Sequence, residues 1–219
     1  MRIGLIRHGE TAWNAQGLLQ GVSDIPLNPL GRSQAVSAGR MLRGQGWEAV
    51  YTSPLSRARE TAETIAREAG LPAPIDLPGV IERAFGELEG KEYWRPDGTR
   101  APLIHPTVEP IERVVERSLA ALREVAARHP SGRVLVVAHG TVIRNVLDQF
   151  MDEDAPGVAN ASLSVLVAGV EREFEVVLAN GYPRFPIDEV PVVAQAPALP
   201  RGTHPPAETP DAHEPGDLA

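Results

Sequence analysis

The sequence predicts an α/β fold, with a mainly parallel sheet covered by helices on both faces in a three-layer α/β/α sandwich. Three observations predict it. Short apolar runs alternate with helical stretches whose ends carry capping residues. One run, Val134 to Ala138, is apolar without interruption, as a strand buried on both faces must be. The chain has 219 residues, 42% of them hydrophobic and 23% charged, which suits one large domain better than two.

The elements follow in order. Ile3 to Ile6 reads as a short buried strand, and the polar segment from His8 to Pro29 as a long functional loop holding one helical turn. A helix then opens with Asn28 as N-cap and Pro29 at its first position, and stops at Gly44 and Gly46. "WEAVYTS", from Trp47, is a second strand. The helix after it takes Ser53 as cap and Pro54 in its first turn, and ends on Gly70. Residues 71 to 107 lack a sustained period and read as loop with short elements. Val108 to His129 is an amphipathic helix with apolar residues at 111, 114, 115, 119, 122 and 125. After the strand to Ala138, "TVIRNVLDQFM" continues as a helix. Ser162 to Ala168 and Phe174 to Ala179 are two closing strands that can pair. Composition sets a boundary after residue 185: from Pro186 to Ala219, 8 of 34 residues are proline, and this tail reads as extended or disordered.

Composition narrows the function. A formal charge of −8 argues against nucleic-acid or anionic-membrane partners, which need a basic face. With no cysteine there are no disulfides, zinc–thiolate sites or thiol nucleophiles. "MRIGLIRHGE" has no apolar stretch ahead of its charges, and no run approaches the ~18 apolar residues of a membrane helix. The expectation is a cytoplasmic protein.

Two strands end alike. "LIRHGET" and "VVAHGTV" each run from an apolar strand into histidine, glycine and threonine, and in α/β sheets ligands bind beyond the carboxyl ends of strands. His8 and His139 could therefore face each other. Arg7 adds a planar fork of donors that matches two phosphate oxygens. The group suits an oxyanion. A metal is disfavoured, because His8 has no second ligand at helical spacing and Arg7 would repel a cation. No GxxxxGK[ST] cradle is present, so a P-loop enzyme is disfavoured too.

"LIRHGETAWN", "YTSPLSRARETA", "IERAFGELEG" and "VVAHG", in this order, resemble the histidine phosphatase superfamily, also called the phosphoglycerate mutase-like family. The resemblance runs from Met1 to about Ala179. It implies a phosphoglycerate mutase-like fold, no metal and no cofactor, with a small phosphorylated metabolite as substrate; dimers are common among relatives, so a homodimer is compatible. It makes His8 the nucleophile that becomes a phosphohistidine, places Arg7, Arg57 and His139 around the phosphate with Asn14 as a further contact, and gives Glu82 the role of proton donor. Gln20 and Gly21 fall where relatives contact the substrate body. His105, His129, His204 and His213 lie outside these motifs and read as structural or solvated.

The same residues serve phosphatases and mutases. The segment after Gly90 is short and lacks the longer insertion and paired arginines of the cofactor-dependent mutases, so release of phosphate to water is expected. The alternatives are a mutase-type phosphotransferase and a non-catalytic binder of phosphorylated ligands. Trp13, Tyr93 and Trp94 are candidates to touch the apolar part of the substrate or to cover the core.

Overall fold

A computed structural model of the chain describes residues 1–93, 101–169 and 172–183. The Pro-rich tail from 186 and Trp94 lie outside the described residues. Seven strands form one sheet: β1 (Arg2–Arg7), β2 (Ala49–Thr52), β3 (Ile75–Asp76), β4 (Arg133–Ala138), β5 (Leu163–Ala168), β6 (Phe174–Ala179) and β7 (Tyr182–Pro183), in the order β3-β2-β4-β1-β5-β6-β7. The segment β3-β2-β4-β1 is parallel, and β5, β6 and β7 continue it antiparallel, so the sheet is mixed. β5 and β6 are the pair of closing strands read from the sequence, β7 is a short strand that the sequence reading did not include, and β5 joins them to the parallel part through β1.

Among the described residues there are five α-helices: α1 (Ala12–Ala15), α2 (Pro29–Leu42), α3 (Ser56–Ala69), α4 (Ile111–Arg128) and α5 (Gly140–Asp148). β4 shows why both faces are covered. Val134, Val136 and Ala138 pack with Val114, Leu122, Val125, Ile143 and Leu147 of α4 and α5, while Leu135 and Val137 point the other way, to Ala38, Leu42, Ala58, Ala62 and Ile65 of α2 and α3. The period of two along a strand thus feeds two separate cores. All five residues from Val134 to Ala138 are completely buried, and each of the larger ones contributes roughly 1.5–3 kcal/mol on burial.

Helix ends explain two differences from expectation. Asn28 caps α2 as read, its side chain accepting from Gly31 N at 2.8 Å with Pro29 at the first position. α3 instead begins at Ser56, with Leu55 at the cap and no side-chain capping bond. Ser53 and Pro54 stay outside the helix because the Ser53 hydroxyl is engaged elsewhere, as shown below. α4 begins at Ile111, three residues later than read, because Pro110 occupies the cap and Val108 turns into a small cluster with Leu19 and Phe85.

Candidate active site

The carboxyl ends of β1 and β4 bring the two histidines together. Their ring centroids are 5.1 Å apart with planes at 57°, and both residues are buried. The His8 ring is fixed by a 2.7 Å hydrogen bond between Nδ1 and the Gly9 carbonyl. A carbonyl only accepts, so Nδ1 carries the proton and Nε2 keeps a lone pair. Burial first, then the charges of Arg57 and Arg7, hold the imidazole well below its usual pKa, so it is neutral.

The backbone after His8 is held both by side chains and by close approach of main chain. Gly9 N donates to Thr61 Oγ1 at 3.0 Å, and a Cβ on Gly9 would stand 2.3 Å from the carbonyl oxygen of Gly31 at the start of α2. Only glycine fits there. Asn160 Nδ2 donates to the His8 carbonyl at 3.0 Å and to Asn14 Oδ1 at 3.2 Å.

His139 is completely buried beside His8. Its Nε2 pairs with Ser53 Oγ at 2.7 Å, while Nδ1 has no partner. Burial, Arg57, His8 and Arg7, in that order, keep this ring well below its usual pKa as well. Arg57, also fully buried, anchors its two terminal nitrogens on the carbonyls of Ser23 (2.8 Å) and Gly21 (2.7 Å), and Arg7 donates to Val158 O at 2.6 Å. Five buried side-chain polar atoms lack a hydrogen-bond partner among the described residues, and three of them are here: Arg7 Nε, Arg57 Nε and His139 Nδ1. An unpaired buried donor costs about 1–3 kcal/mol, so such a group is kept for something that accepts.

Glu82 completes the set. Its Oε1 accepts from Arg83 N at 2.8 Å and Oε2 from Thr141 N, in the first turn of α5, at 3.4 Å. Burial raises its pKa, against the opposing pull of these amides and of Arg57 and Arg7. Arg117 holds the supporting loop by donating to the carbonyls of Gly79, Ile81 and Glu82.

A cleft of about 760 Å³ opens over these groups, and Arg7, His8, Asn14, Gln20, Gly21, Arg57 and Glu82 all line it. Of the residues anticipated from sequence, the structure therefore gathers these seven, with His139 packed against His8 from inside. Gln20 is pinned, its Oε1 accepting from Thr11 Oγ1 at 2.9 Å, and the visible work of Gly21 is to present its carbonyl to Arg57. Tyr93 reaches the cleft; Trp13 does not line it and packs toward Gly90. His105 and His129 stay outside, bonded to Thr107 and to Tyr51 and Glu48. Ser53, Thr61, Asn160 and Glu89 were not singled out for the site from sequence. Glu89 accepts from Val22 N, Ser23 N, Ser23 Oγ and Phe85 N at 2.5–3.1 Å, which fixes the loop whose carbonyls hold Arg57. A Cβ on Gly21, whose φ is 56°, would collide with the Glu89 carboxylate.

Among the described residues no group of three or more His, Asp or Glu side chains could hold a metal ion, and no helix is long and apolar enough to cross a membrane.

Comparison with known proteins agrees with the geometry. The chain is 36% identical over 172 residues to the "Uncharacterized phosphatase PhoE" of Bacillus subtilis (strain 168), covering 77% of this chain and 89% of that protein. It is 35% identical over 179 residues to the "Metal-independent phosphoserine phosphatase" of Arabidopsis thaliana, covering 75% of each. Relatives named "Probable phosphoglycerate mutase GpmB" also match, among them that of Cronobacter sakazakii at 34% identity over 65% of this chain and 71% of that protein. The fold is that of Bacillus stearothermophilus YhfR, with a TM-score of 0.70, 29% identity, and coverage of 81% of this chain and 95% of that one. The family profile of the histidine phosphatase superfamily (branch 1) matches residues 3–180, and the chain belongs to that family of phosphoglycerate mutase-like enzymes as a histidine phosphatase.

Proposed function

We propose that the protein hydrolyses a small phosphomonoester through a phosphohistidine on His8, without a metal or cofactor. The observation that carries the reading is the pairing of a neutral imidazole, its Nε2 lone pair set by the Gly9 bond, with three unpaired buried donors around it. Phosphoryl transfer passes through a loose transition state with charge spread over the equatorial oxygens, so fixed donors and correct aim are the main protein contributions.

In the first step the Nε2 lone pair attacks phosphorus and the bond from phosphorus to the ester oxygen breaks. Arg7, Arg57 and His139 Nδ1–H bind the equatorial oxygens, with Asn14 at the edge. The Glu82 carboxyl gives its proton to the leaving alkoxide. The positive charge formed on the His8 ring is spread to Nδ1–H, which already donates to the Gly9 carbonyl. In the second step the Glu82 carboxylate takes a proton from water, the water oxygen attacks phosphorus, the P–N bond breaks and inorganic phosphate leaves. Glu82 must be protonated at the start, as its raised pKa favours.

The test is rapid acid-free quenching during turnover of a labelled ester, followed by peptide mapping. Label that is acid-labile and alkali-stable on His8, absent in His8→Ala, is the expected result. Turnover without label on His8 under single-turnover conditions removes the reading. Isomerisation of 3-phosphoglycerate faster than phosphate release would replace the hydrolase with a mutase.

A further inference from the structure

We infer that Gln34 and Thr61, two polar side chains outside the cleft wall, are positioning residues for His8: they hold the peptides on either side of Gly9 so that the Gly9 carbonyl stays on Nδ1 and the lone pair on Nε2. The inference deepens the reading of His8 as the nucleophile and rests on it.

A neutral imidazole carries one proton, and the nitrogen that meets an acceptor keeps it. For His8 that acceptor is a main-chain carbonyl at 2.7 Å, so the aim of a single peptide decides which nitrogen can attack. The residue that carries this carbonyl is glycine, which has the widest choice of backbone rotation and no side chain to pack. Its hold has to come from elsewhere.

The peptide from Gly9 to Glu10 is planar and trans, so its carbonyl and its N–H point in opposite directions. The carbonyl meets His8, and the N–H of Glu10 donates to Gln34 Oε1 at 2.9 Å. Gln34 stands partly buried on α2, and the atom that faces an N–H is its side-chain oxygen. Holding the N–H toward α2 holds the carbonyl toward the imidazole. The start of α2 is in turn fixed against the same residue: Asn28 N donates to the Glu10 carbonyl at 2.9 Å, and Asn28 Nδ2 to the Glu10 carboxylate at 2.8 Å.

The peptide from His8 to Gly9 is also held at both ends. Its N–H donates to Thr61 Oγ1 at 3.0 Å, and its carbonyl accepts from Asn160 Nδ2 at 3.0 Å and Ala161 N at 3.3 Å. The Thr61 hydroxyl is fully buried and gives its own proton to the Arg57 carbonyl at 2.7 Å. One hydroxyl therefore ties the main chain of the nucleophile to the helix that presents Arg57. With the Gly9–Glu10 peptide turned over, an N–H would face Nδ1, the proton would move to Nε2, and the ring could not attack phosphorus.

The test is nitrogen NMR of protein carrying isotope-labelled histidine at neutral pH, with the His8 signals identified by their absence in His8→Ala, alongside kcat and KM on a hydrolysed ester. In the wild-type protein the expected pattern is a protonated Nδ1 and a bare Nε2. Gln34→Leu fills a similar space without an acceptor. It is expected to move His8 toward the opposite tautomer and to lower kcat by about tenfold or more, within the ~10⁴-fold that a wholly misdirected tautomer costs, with KM changed less than about threefold. Gln34→Glu keeps the acceptor and is expected to recover the wild-type signals and kcat to within about fivefold. Thr61→Val and Thr61→Ser repeat the contrast, and they carry the test should Gln34→Leu not fold. A drop in Tm with unchanged His8 signals and kcat would mean that these groups only satisfy buried amides, and it overturns the inference. So does Gln34→Glu behaving like Gln34→Leu. The spectra also separate this inference from the hydrolytic reading. A tautomer that follows Gln34 in a protein without turnover supports the mount and defeats the nucleophile, whereas phosphate release through His8 with a tautomer indifferent to both residues does the reverse.

Discussion

Ser53→Ala probes the site through a residue that never needs to touch substrate. The Ser53 hydroxyl is fully buried and lies 2.7 Å from His139 Nε2, while Leu55 N approaches the same oxygen at 3.4 Å. With the hydroxyl donating to Nε2, the imidazole proton resides on Nδ1, the nitrogen left for an oxyanion; this tautomer is inferred from the hydrogen-bond network. Removing the hydroxyl leaves Nε2 buried and unsatisfied, a cost of about 1–3 kcal/mol. In a chain of this size that corresponds to a fall in Tm of roughly 2–12 °C. The ring is then free to carry its proton on either nitrogen, and the catalytic loss is bounded by the loss of one oxyanion donor, ~3 kcal/mol or on the order of a hundredfold. The assay is kcat/KM on a responsive ester together with a thermal melt, repeated in a His139→Ala background. The expected activity loss is ~10–100-fold in the wild-type background and close to none once His139 is gone, because both changes remove the same contact. A drop in Tm with unchanged kcat/KM, or a loss that multiplies with His139→Ala, would refute the reasoning.

Three further outcomes follow from the same geometry. His8 must be unprotonated and its pKa is depressed, so the acid limb of kcat/KM lies below the usual imidazole range; Glu82 must be protonated and its pKa is raised, so activity falls again as pH climbs through that raised value, and a pH–rate profile that instead rises steadily through neutrality contradicts the assignment. Glu82→Gln costs an alkyl phosphate about 10²–10⁴-fold but p-nitrophenyl phosphate much less, since that leaving group departs without a proton, and equal losses on both esters would remove Glu82 as the acid. Glu89→Ala strips four hydrogen bonds from the loop that seats Arg57; the expectation is roughly 2–4 kcal/mol of lost stability in a denaturant melt and a fall in kcat/KM of about tenfold, and a folded variant with full activity would show that Arg57 is placed by other means.

What could be read from the chain was local. The strand ends at His8 and His139 and the Asn28–Pro29 helix start follow from apolar runs and capping chemistry within a few residues, and the structure keeps them. Arg7 was legible from its place beside His8, Arg57 and Glu82 only from motif resemblance, and the structure brings all three to one cleft. Ser53 was misread as a helix cap because serine before proline has the same local pattern, whereas its partner lies 86 residues away. Asn160, whose contacts with His8 and Asn14 span about 150 residues, carries no periodic or motif signal at all. The adjacency of Arg83 and Glu82 does not reveal which group of the arginine meets the acid; in the fold it is the backbone amide of Arg83 that meets the carboxylate, and the guanidinium turns to the Glu109 carbonyl and Phe85. Of the antiparallel extension, β5 and β6 were visible as two strands able to pair, but the attachment of β5 to β1 is a tertiary choice between edges that local pattern does not encode.

Arg57 rests on the main-chain oxygens of residues 21 and 23, at the end of the segment 17–21 that lines the cleft. Grafting this segment from another phosphatase to redirect selectivity would therefore also unseat a guanidinium needed for the chemistry. A successful transplant has to move the backbone course at 21–23 and the carboxylate at 89 as one unit, whereas Asp148, farther along the α5 wall, bonds only to the amide of Ala155 among the described residues and can be changed without that burden.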